Sequence, residues 1–333
     1  MNSNQKKKTI KILLKLQSVL FLSIFSLFII SCDNEDSDQV VPEELTIVET
    51  ASATPELSNL VAALTAADGD LVNILSGGNF TVLAPNNTAF ELFLSDNGFA
   101  SLEEVPTDLL ANILLNHVIT GSVGSTDLVA SGSGYTTTNA TNMDGDNLSM
   151  YFTTSEGVVF NGGSNVIAAD IPASNGVIHV VDAVIALPTV VTFATSNPVF
   201  ETLVTALTRE DLNTDYVSVL SGETNAPFTV FAPTNDAFIS LLSELGASSL
   251  NDIDTATLTA TLNTHVVAEA NVRANDLTQG MQINTLGDGL TVSLDAGPQL
   301  IDSNDRVAGI IAVDVQAYNG VVHVIDNVVL PQL

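Results

Sequence analysis

The stretch Phe80–Phe90 reads FTVLAPNNTAF, and the chain writes it a second time as FTVFAPTNDAF from Phe228 to Phe238. The copies lie 148 residues apart and differ only at Leu83/Phe231, Asn86/Thr234 and Thr88/Asp236. An apolar run ending in Ala-Pro predicts a buried strand that breaks at the proline. The Asn or Thr that follows, ahead of a new apolar face, predicts a helix capped by that short polar side chain. Chance does not repeat such a strand-to-helix corner at this length, so the chain is two copies of one domain.

Outward from the corner the copies keep step. Thr54-Pro55-Glu56 places proline at a first helical position, and Leu57, Leu60, Val61 and Leu64 follow at the spacing of one apolar stripe. Asn197-Pro198 precedes Phe200, Leu203, Val204 and Leu207 at the same spacing. A further helix carries Leu110, Ile113, Leu114 and His117 on one face; Leu258, Thr261, Leu262 and His265 match it at the same offset. The middles, about 120–165 and 268–305, are rich in Gly, Thr, Ser and Asn and predict short strands and turns. Each copy closes on a strand pair: Ile167–Ile171 leads to NGVIHVVDAVIALP, Asn175–Pro188, and Ile311–Val315 leads to NGVVHVIDNVVLP, Asn319–Pro331.

The first 31 residues differ from the rest. Lys6, Lys7, Lys8, Lys11 and Lys15 precede the apolar run Val19–Ile30, which ends in Ser31-Cys32. This predicts a secretory signal, too short for a comfortable membrane span. An uncut signal anchor is the alternative, but Ile29-Ile30-Ser31-Cys32 resembles the lipobox of bacterial lipoproteins, cleaved before the cysteine and acylated on its thiol. Cys32 is the only cysteine, so no intrachain disulfide can form, and lipidation gives the lone thiol a purpose. Each buried methylene contributes roughly 0.8 kcal/mol, so two or three acyl chains would hold the protein on a membrane almost permanently. The acidic run that follows predicts a flexible tether over 32–44. It loosely resembles the export signal of surface lipoproteins of the Bacteroidetes, which places the protein in the cell envelope, at the outer membrane and on its outer face.

All five lysines lie in the leader, which contains no acid. The mature chain sets Arg209, Arg273 and Arg306 against 38 acids, 3 − 38 = −35. Nucleic-acid affinity comes largely from Lys and Arg neutralising phosphates, so nucleic-acid binding is excluded. A solvated coat explains the acidity more simply than divalent-cation binding or cation-bridged partners.

With both ends of the repeat in view, the residues resemble the fasciclin domain. Phe80–Phe90 and Phe228–Phe238 are similar to that family's first signature, Asn175–Pro188 and Asn319–Pro331 to its second. The resemblance covers nearly all of the mature chain, as copies over 45–188 and 189–333. It implies an α+β fold: two tandem domains, each a wedge of mostly antiparallel β-strands packed with several α-helices. For function it implies extracellular adhesion through protein or glycan surfaces, without an activity or cofactor general to the family. Animal members carry a Tyr-His integrin contact between the signatures. Here Asn116 and Thr264 stand where the tyrosine would, so integrin binding is not carried over.

The four histidines fall at equivalent places, His117 with His265 and His179 with His323, and no zinc spacing accompanies them. They read as buried, hydrogen-bonded packing residues, as do the corner asparagines Asn87 and Asn235 and the strand-end acids Asp182 and Asp326. A buried polar group needs a partner. His179 and His323 are therefore expected to bond near their own corners, around Asn86–Thr88 and Thr234–Asp236. Asp170, Asp182, Asp314 and Asp326 recur in both copies, which suits turn capping better than a single active site. Asp144-Gly145-Asp146-Asn147 and Asp302-Ser303-Asn304-Asp305 offer oxygens to Ca²⁺, but neither matches the twelve-residue calcium loop and both read first as plain turns. The reading is a non-catalytic, lipid-anchored surface protein binding an extracellular protein or glycan. Its rivals are a carboxylate-based enzyme acting on polysaccharide and a structural spacer of the envelope.

Overall fold

The computed structural model describes residues 44–332. The expected signal at 1–31, the acylation site Cys32 and the tether up to Glu43 lie outside the described residues. Within them no single helix is long and apolar enough to cross a membrane.

The first copy begins with helix α1, Ile47–Ser52, a six-residue element that apolar spacing alone does not reveal. It forms because Thr46 and Glu49 close a reciprocal capping box on its free N–H groups. A short turn, Pro55–Leu57, leads into α2, Ser58–Ala66, and α3, Leu71–Gly77. Strand β1, Phe80–Pro85, then turns into α4, Asn87–Asp96, where Asn86 Oδ1 accepts the Ala89 N–H at 2.8 Å. Helix α5, Thr107–Asn116, passes into β2, Val118–Thr120, and then α6, Ser125–Ser131. The remaining strands are β3, Ser133–Thr141; β4, Asn147–Thr153; β5, Val159–Phe160; β6, Ser164–Ala173; and β7, Gly176–Val181.

The second copy repeats the plan with α7, Val190–Ser196; α8, Glu201–Leu207; α9, Tyr216–Ser221; β8, Phe228–Pro233; α10, Asn235–Leu245; α11, Thr255–Thr264; and β9, Val266–Val267. It departs in the middle. Where the first copy has α6, a single turn Ala274–Asp276 stands, and β10, Gln282–Ile283, replaces the nine-residue β3. Strands β11, Leu290–Ser293; β12, Gln299–Ile301; β13, Val307–Ala317; and β14, Gly320–Ile325, complete it.

Each copy builds one seven-stranded sheet, in the order β2-β1-β7-β6-β5-β4-β3 and, equivalently, β9-β8-β14-β13-β12-β11-β10. The expected α+β class with mostly antiparallel strands holds. The exception in each sheet is the pair made by the two signatures. β1 runs parallel to β7, from Phe80↔Gly176 to Pro85↔Val181, and β8 runs parallel to β14, from Phe228↔Gly320 to Pro233↔Ile325. The helices bury one face of each sheet around Leu57, Leu60, Phe90 and Leu110, and around Phe200, Phe228, Phe238 and Leu258. The remaining strands close a second apolar cluster in each copy, around Phe160 and Met150 and around Phe231 and Leu290.

The copies meet along a continuous seam. Tyr151 of β4 is buried in the helix-side core of the second copy, beside Val190 and Phe193. Tyr135 packs its ring 5.2 Å from that of Tyr151 and edge-on to Phe193 at 5.6 Å. Around this apolar centre, Gln316 N–H donates to Ser149 Oγ at 3.0 Å, Asn142 Nδ2 to Gln316 Oε1 at 3.1 Å, and Tyr318 N–H to Pro188 O at 2.7 Å. An aromatic truncated to alanine in such a core loses about 3–5 kcal/mol. Tyr151→Ala should therefore not only destabilise the chain but separate a single unfolding transition into two. Calorimetry of parent and variant reads this directly, and a single unbroken transition in the variant would show that Tyr151 does not carry the coupling between the copies.

Candidate functional site

The four histidines are buried, with exposures of 1 % for His117, 0 % for His179, 4 % for His265 and 0 % for His323. His117 ends α5. Its Nδ1 donates to Ile113 O at 2.8 Å, and its Nε2 accepts the Ile185 N–H at 2.8 Å. His265 repeats this with Thr261 O at 2.7 Å and the Val329 N–H at 3.2 Å. Each ring thus ties a helix end to the segment that follows the last strand. Desolvation pushes both rings down to about 4, against a smaller opposing pull from the carbonyl they bond.

The second-signature histidines bond elsewhere than the corner, which corrects the expectation for Asn86–Thr88 and Thr234–Asp236. His179 Nδ1 accepts the Asp170 N–H at 3.1 Å and Nε2 donates to Val123 O at 2.9 Å; His323 bonds Asp314 N–H at 3.4 Å and Val272 O at 2.8 Å. The reason is register. His179 pairs with Leu83 in mid-strand, while the corner begins three residues further along. What comes within reach is the bulge of β6, where Asp170 takes φ 57°, and of β13, where Asp314 takes φ 56°. The Asp170 carboxylate also lies 3.9 Å from His179 Nδ1. That nitrogen already accepts the backbone N–H, so the contact adds no charge-paired bond. The carboxylate instead takes the Ser125 N–H at 2.8 Å and the Ser125 hydroxyl, and these bonds hold it below the usual range.

Four residues expected to be buried are not. Asn87, Asn235 and Asp182 are half-buried and Asp326 is exposed. Asn87 joins helices across the surface, accepting the Asn59 N–H at 3.0 Å and donating to Pro55 O at 3.0 Å; Asn235 does the same with Thr202 and Pro198, both at 2.9 Å. Asp182 and Asp326 do not cap turns. They take the backbone N–H of Asn165 and Gly309 on the neighbouring strand, each at 2.7 Å, because they stand where β7 and β14 leave the ladder and a donor across the gap needs a partner.

Two residues went unread in the sequence because Asn-Gly looks like an ordinary turn. Asn175 accepts the Ile47 N–H at 2.8 Å and donates to Leu75 O at 2.6 Å and Gly78 O at 3.0 Å. Asn319, 1 % exposed, accepts from Val190 at 3.0 Å and donates to Leu220 O at 2.8 Å and Gly222 O at 3.0 Å. Each amide thus ties two helices, α1 and α3 or α7 and α9, to one strand. Their exact repetition beside the second-signature histidines was the available signal.

The acidic turns turn inward to protein donors. Asp146 receives Arg273 from the other copy at 2.6 Å, and Asn271 donates to Asp144 at 3.0 Å. Asp302 is buried and accepts from Asn304, Arg306 and Leu330. Among the described residues no group of three or more His, Cys, Asp and Glu is placed to hold a metal ion.

The surface of the described residues carries two grooves of about 500 Å³ each. One is lined by α3, α5 and Tyr318 from the other copy. The second lies between β2 and β3 and is lined by Thr136, Thr137, Asn139 and Asn147.

A sequence profile described as the fasciclin domain matches residues 55–188 and 198–331. The chain is 39 % identical over 153 residues to protein sll1483 of Synechocystis, covering 46 % of this chain and 79 % of that protein. It is 30 % identical over 258 residues to the transforming growth factor-beta-induced protein ig-h3 of Sus scrofa, covering 76 % of this chain but 35 % of that protein. It is 31 % identical over 147 residues to the cell surface glycolipoprotein MPB83 of Mycobacterium bovis, covering 43 % of this chain and 60 % of that one. The chain thus spans about a third of ig-h3 and three fifths of MPB83. A FAS1 domain pair from the insect cell adhesion molecule fasciclin I aligns over 83 % of this chain and 97 % of that one, with 18 % identity and a TM-score of 0.47.

Proposed function

The chain belongs to the fasciclin domain family, found in cell-adhesion and cell-surface proteins, and from that premise we propose that it is a non-catalytic adhesion protein displayed on the cell envelope. Its acyl anchor is Cys32, its tether runs to Glu44, and its two domains present their outer faces to an extracellular protein or glycan. The observation that carries this reading is the internal use of the candidate chemistry. All four histidines and the strand-end carboxylates bond backbone groups of their own domain, in the same way twice. Groups fixed in this way serve shape, and recognition falls to loops and grooves. Two weak contacts on one tethered chain gain avidity when both engage together.

The test is an array of matrix proteins and envelope glycans probed with the chain from residue 33 onward, with released sugar measured in parallel. Retention on defined spots without product is the expected result. Released product would overturn the non-catalytic reading in favour of a polysaccharide-acting enzyme, and retention nowhere would favour a spacer. For the anchor, mass spectrometry of the mature N-terminus should find a lipid-modified Cys32; an unmodified Cys32, or an uncut leader, would defeat that part.

A further inference from the structure

Between α3 and α5 the surface opens into the first of the grooves, about 500 Å³ in volume, lined mainly by apolar atoms. Leu71 is buried, Ala111 and Leu115 are half-buried and Ile74 is 45 % exposed, so apolar surface runs from the floor of the groove out to solvent. Asp68 and Asp108 line the same groove and are exposed. Asp68 takes the Thr107 hydroxyl at 2.9 Å, and Asp108 sits in the first turn of α5, where the helix N-terminus favours a negative charge. Tyr318 belongs to the other copy, so the groove is complete only when the seam is formed. Its hydroxyl is pushed up, first by desolvation and then by the charges of Glu223 and Asp108.

We infer that this groove docks a basic-apolar segment of a protein partner, one presenting Arg or Lys beside Leu-like residues. This rests on the adhesion reading above and specifies its partner. Charge complementarity chooses the occupant. Residues 44–332 contain no lysine, and all three of their arginines are paired elsewhere: Arg209 with Asp211, Arg273 with Asp146, and Arg306 with Glu244 and Asp302. No cation of the described residues answers Asp68 and Asp108. An arginine or lysine stem covers apolar surface while its head reaches a carboxylate or the face of an aromatic ring. An apolar floor, two exposed carboxylates and one tyrosine match both halves of such a side chain. A neutral sugar could donate hydroxyls to the carboxylates but would leave their charge uncompensated, and an anionic one would be repelled.

The test uses two fluorescein-labelled probes, acetyl-Gly-Leu-Arg-Leu-Arg-Gly-amide and the same peptide with serine for leucine, read by anisotropy at low salt against the chain from residue 33 onward. The leucine peptide should bind, and the serine peptide about tenfold more weakly. Tyr318→Ala and the double variant Asp68→Asn/Asp108→Asn should each weaken the leucine peptide about tenfold, a change of about 1.4 kcal/mol. Asp96→Asn/Glu156→Gln removes the same charge from exposed positions outside the groove and should change nothing. Should the Asp68 change loosen α5, Ala111→Arg gives an independent block by filling the groove with its own ligand chemistry. Equal binding of both peptides, equal loss in the remote variant, or no binding at all would overturn the groove. Array retention that survives in the groove variants would separate that failure from failure of the adhesion reading.

Discussion

Replacing Gly320 by alanine should unfold the second copy. A Cβ built at Gly320 lies 2.0 Å from Phe228 O and 2.7 Å from Phe228 N; at Gly176 it lies 1.9 Å from Phe80 O. These are backbone atoms of the paired strand, so no side chain can move aside. The glycines take φ 153° and 146°, a region open to little else. Both costs fall on the first rung of the parallel ladder, Phe228↔Gly320 and Phe80↔Gly176. Relieving the contact means opening that ladder beside Asn319, whose amide holds α7 and α9 together. Each substitution should cost more than about 4 kcal/mol, the range reserved for strained backbone and broken networks. Gly98→Ala is the control: it has φ 74° but open space around its Cβ, so it carries only the left-handed penalty of about 1–2 kcal/mol. Urea unfolding of the three variants reads the difference. A Gly320→Ala chain as stable as the Gly98→Ala chain would mean that the two signature strands are not paired in this register.

That register is the part of the fold the sequence hides. The strand-to-helix corner is local: four apolar residues, a proline and a capping side chain settle it within eleven positions. The duplication made it legible twice, and with it the α+β class. Which strand lies beside β1 is a different matter, because β7 is nearly a hundred residues away and either neighbour would satisfy an apolar run. The polar groups divide in the same way. That His117 and His179 point inward could be read from the Val, Ile and Leu around them. Where their nitrogens bond could not, since the bulge at Asp170 exists only once β6 has paired. Asp182 and Asp326 were placed inside by their apolar neighbours, yet they stand where the strands fray into solvent. Gln316 and Ser149 look like ordinary strand polars until the copies meet.

Stability should fall steeply as the pH drops from 6.5 toward 4, before most carboxylates titrate. His117 and His265 have folded values of about 4, depressed first by desolvation. An unfolded imidazole takes its proton near 6.5. Between those values the unfolded chain binds protons that the folded chain refuses, so stability is full above 6.5 and drains away as pH falls through the window. The cause is visible in the bonds. Nδ1 already carries the proton given to Ile113 O, and Nε2 accepts the Ile185 N–H; a second proton on Nε2 would face that N–H directly. Each ring contributes roughly 3 kcal/mol across the window, and two rings roughly 6. His323, whose value is also lowered by burial, acts in the same direction. Two other effects accompany this one. Asp170, Asp211, Asp215 and Asp254 have lowered values, so their contribution is lost only below the ordinary carboxylate range. Acid also relieves the self-repulsion of the acidic coat, which opposes the loss; the histidine double variant shares that coat, so the comparison of slopes isolates the two rings. Urea midpoints at pH 7.5, 6.5, 5.5 and 4.5 should therefore decline for the parent, while the double variant His117→Gln/His265→Gln starts lower and declines far less. A parent chain equally stable at pH 7 and 4.5, or a variant with the parent's slope, would mean that these two rings do not report the acid limit of the fold.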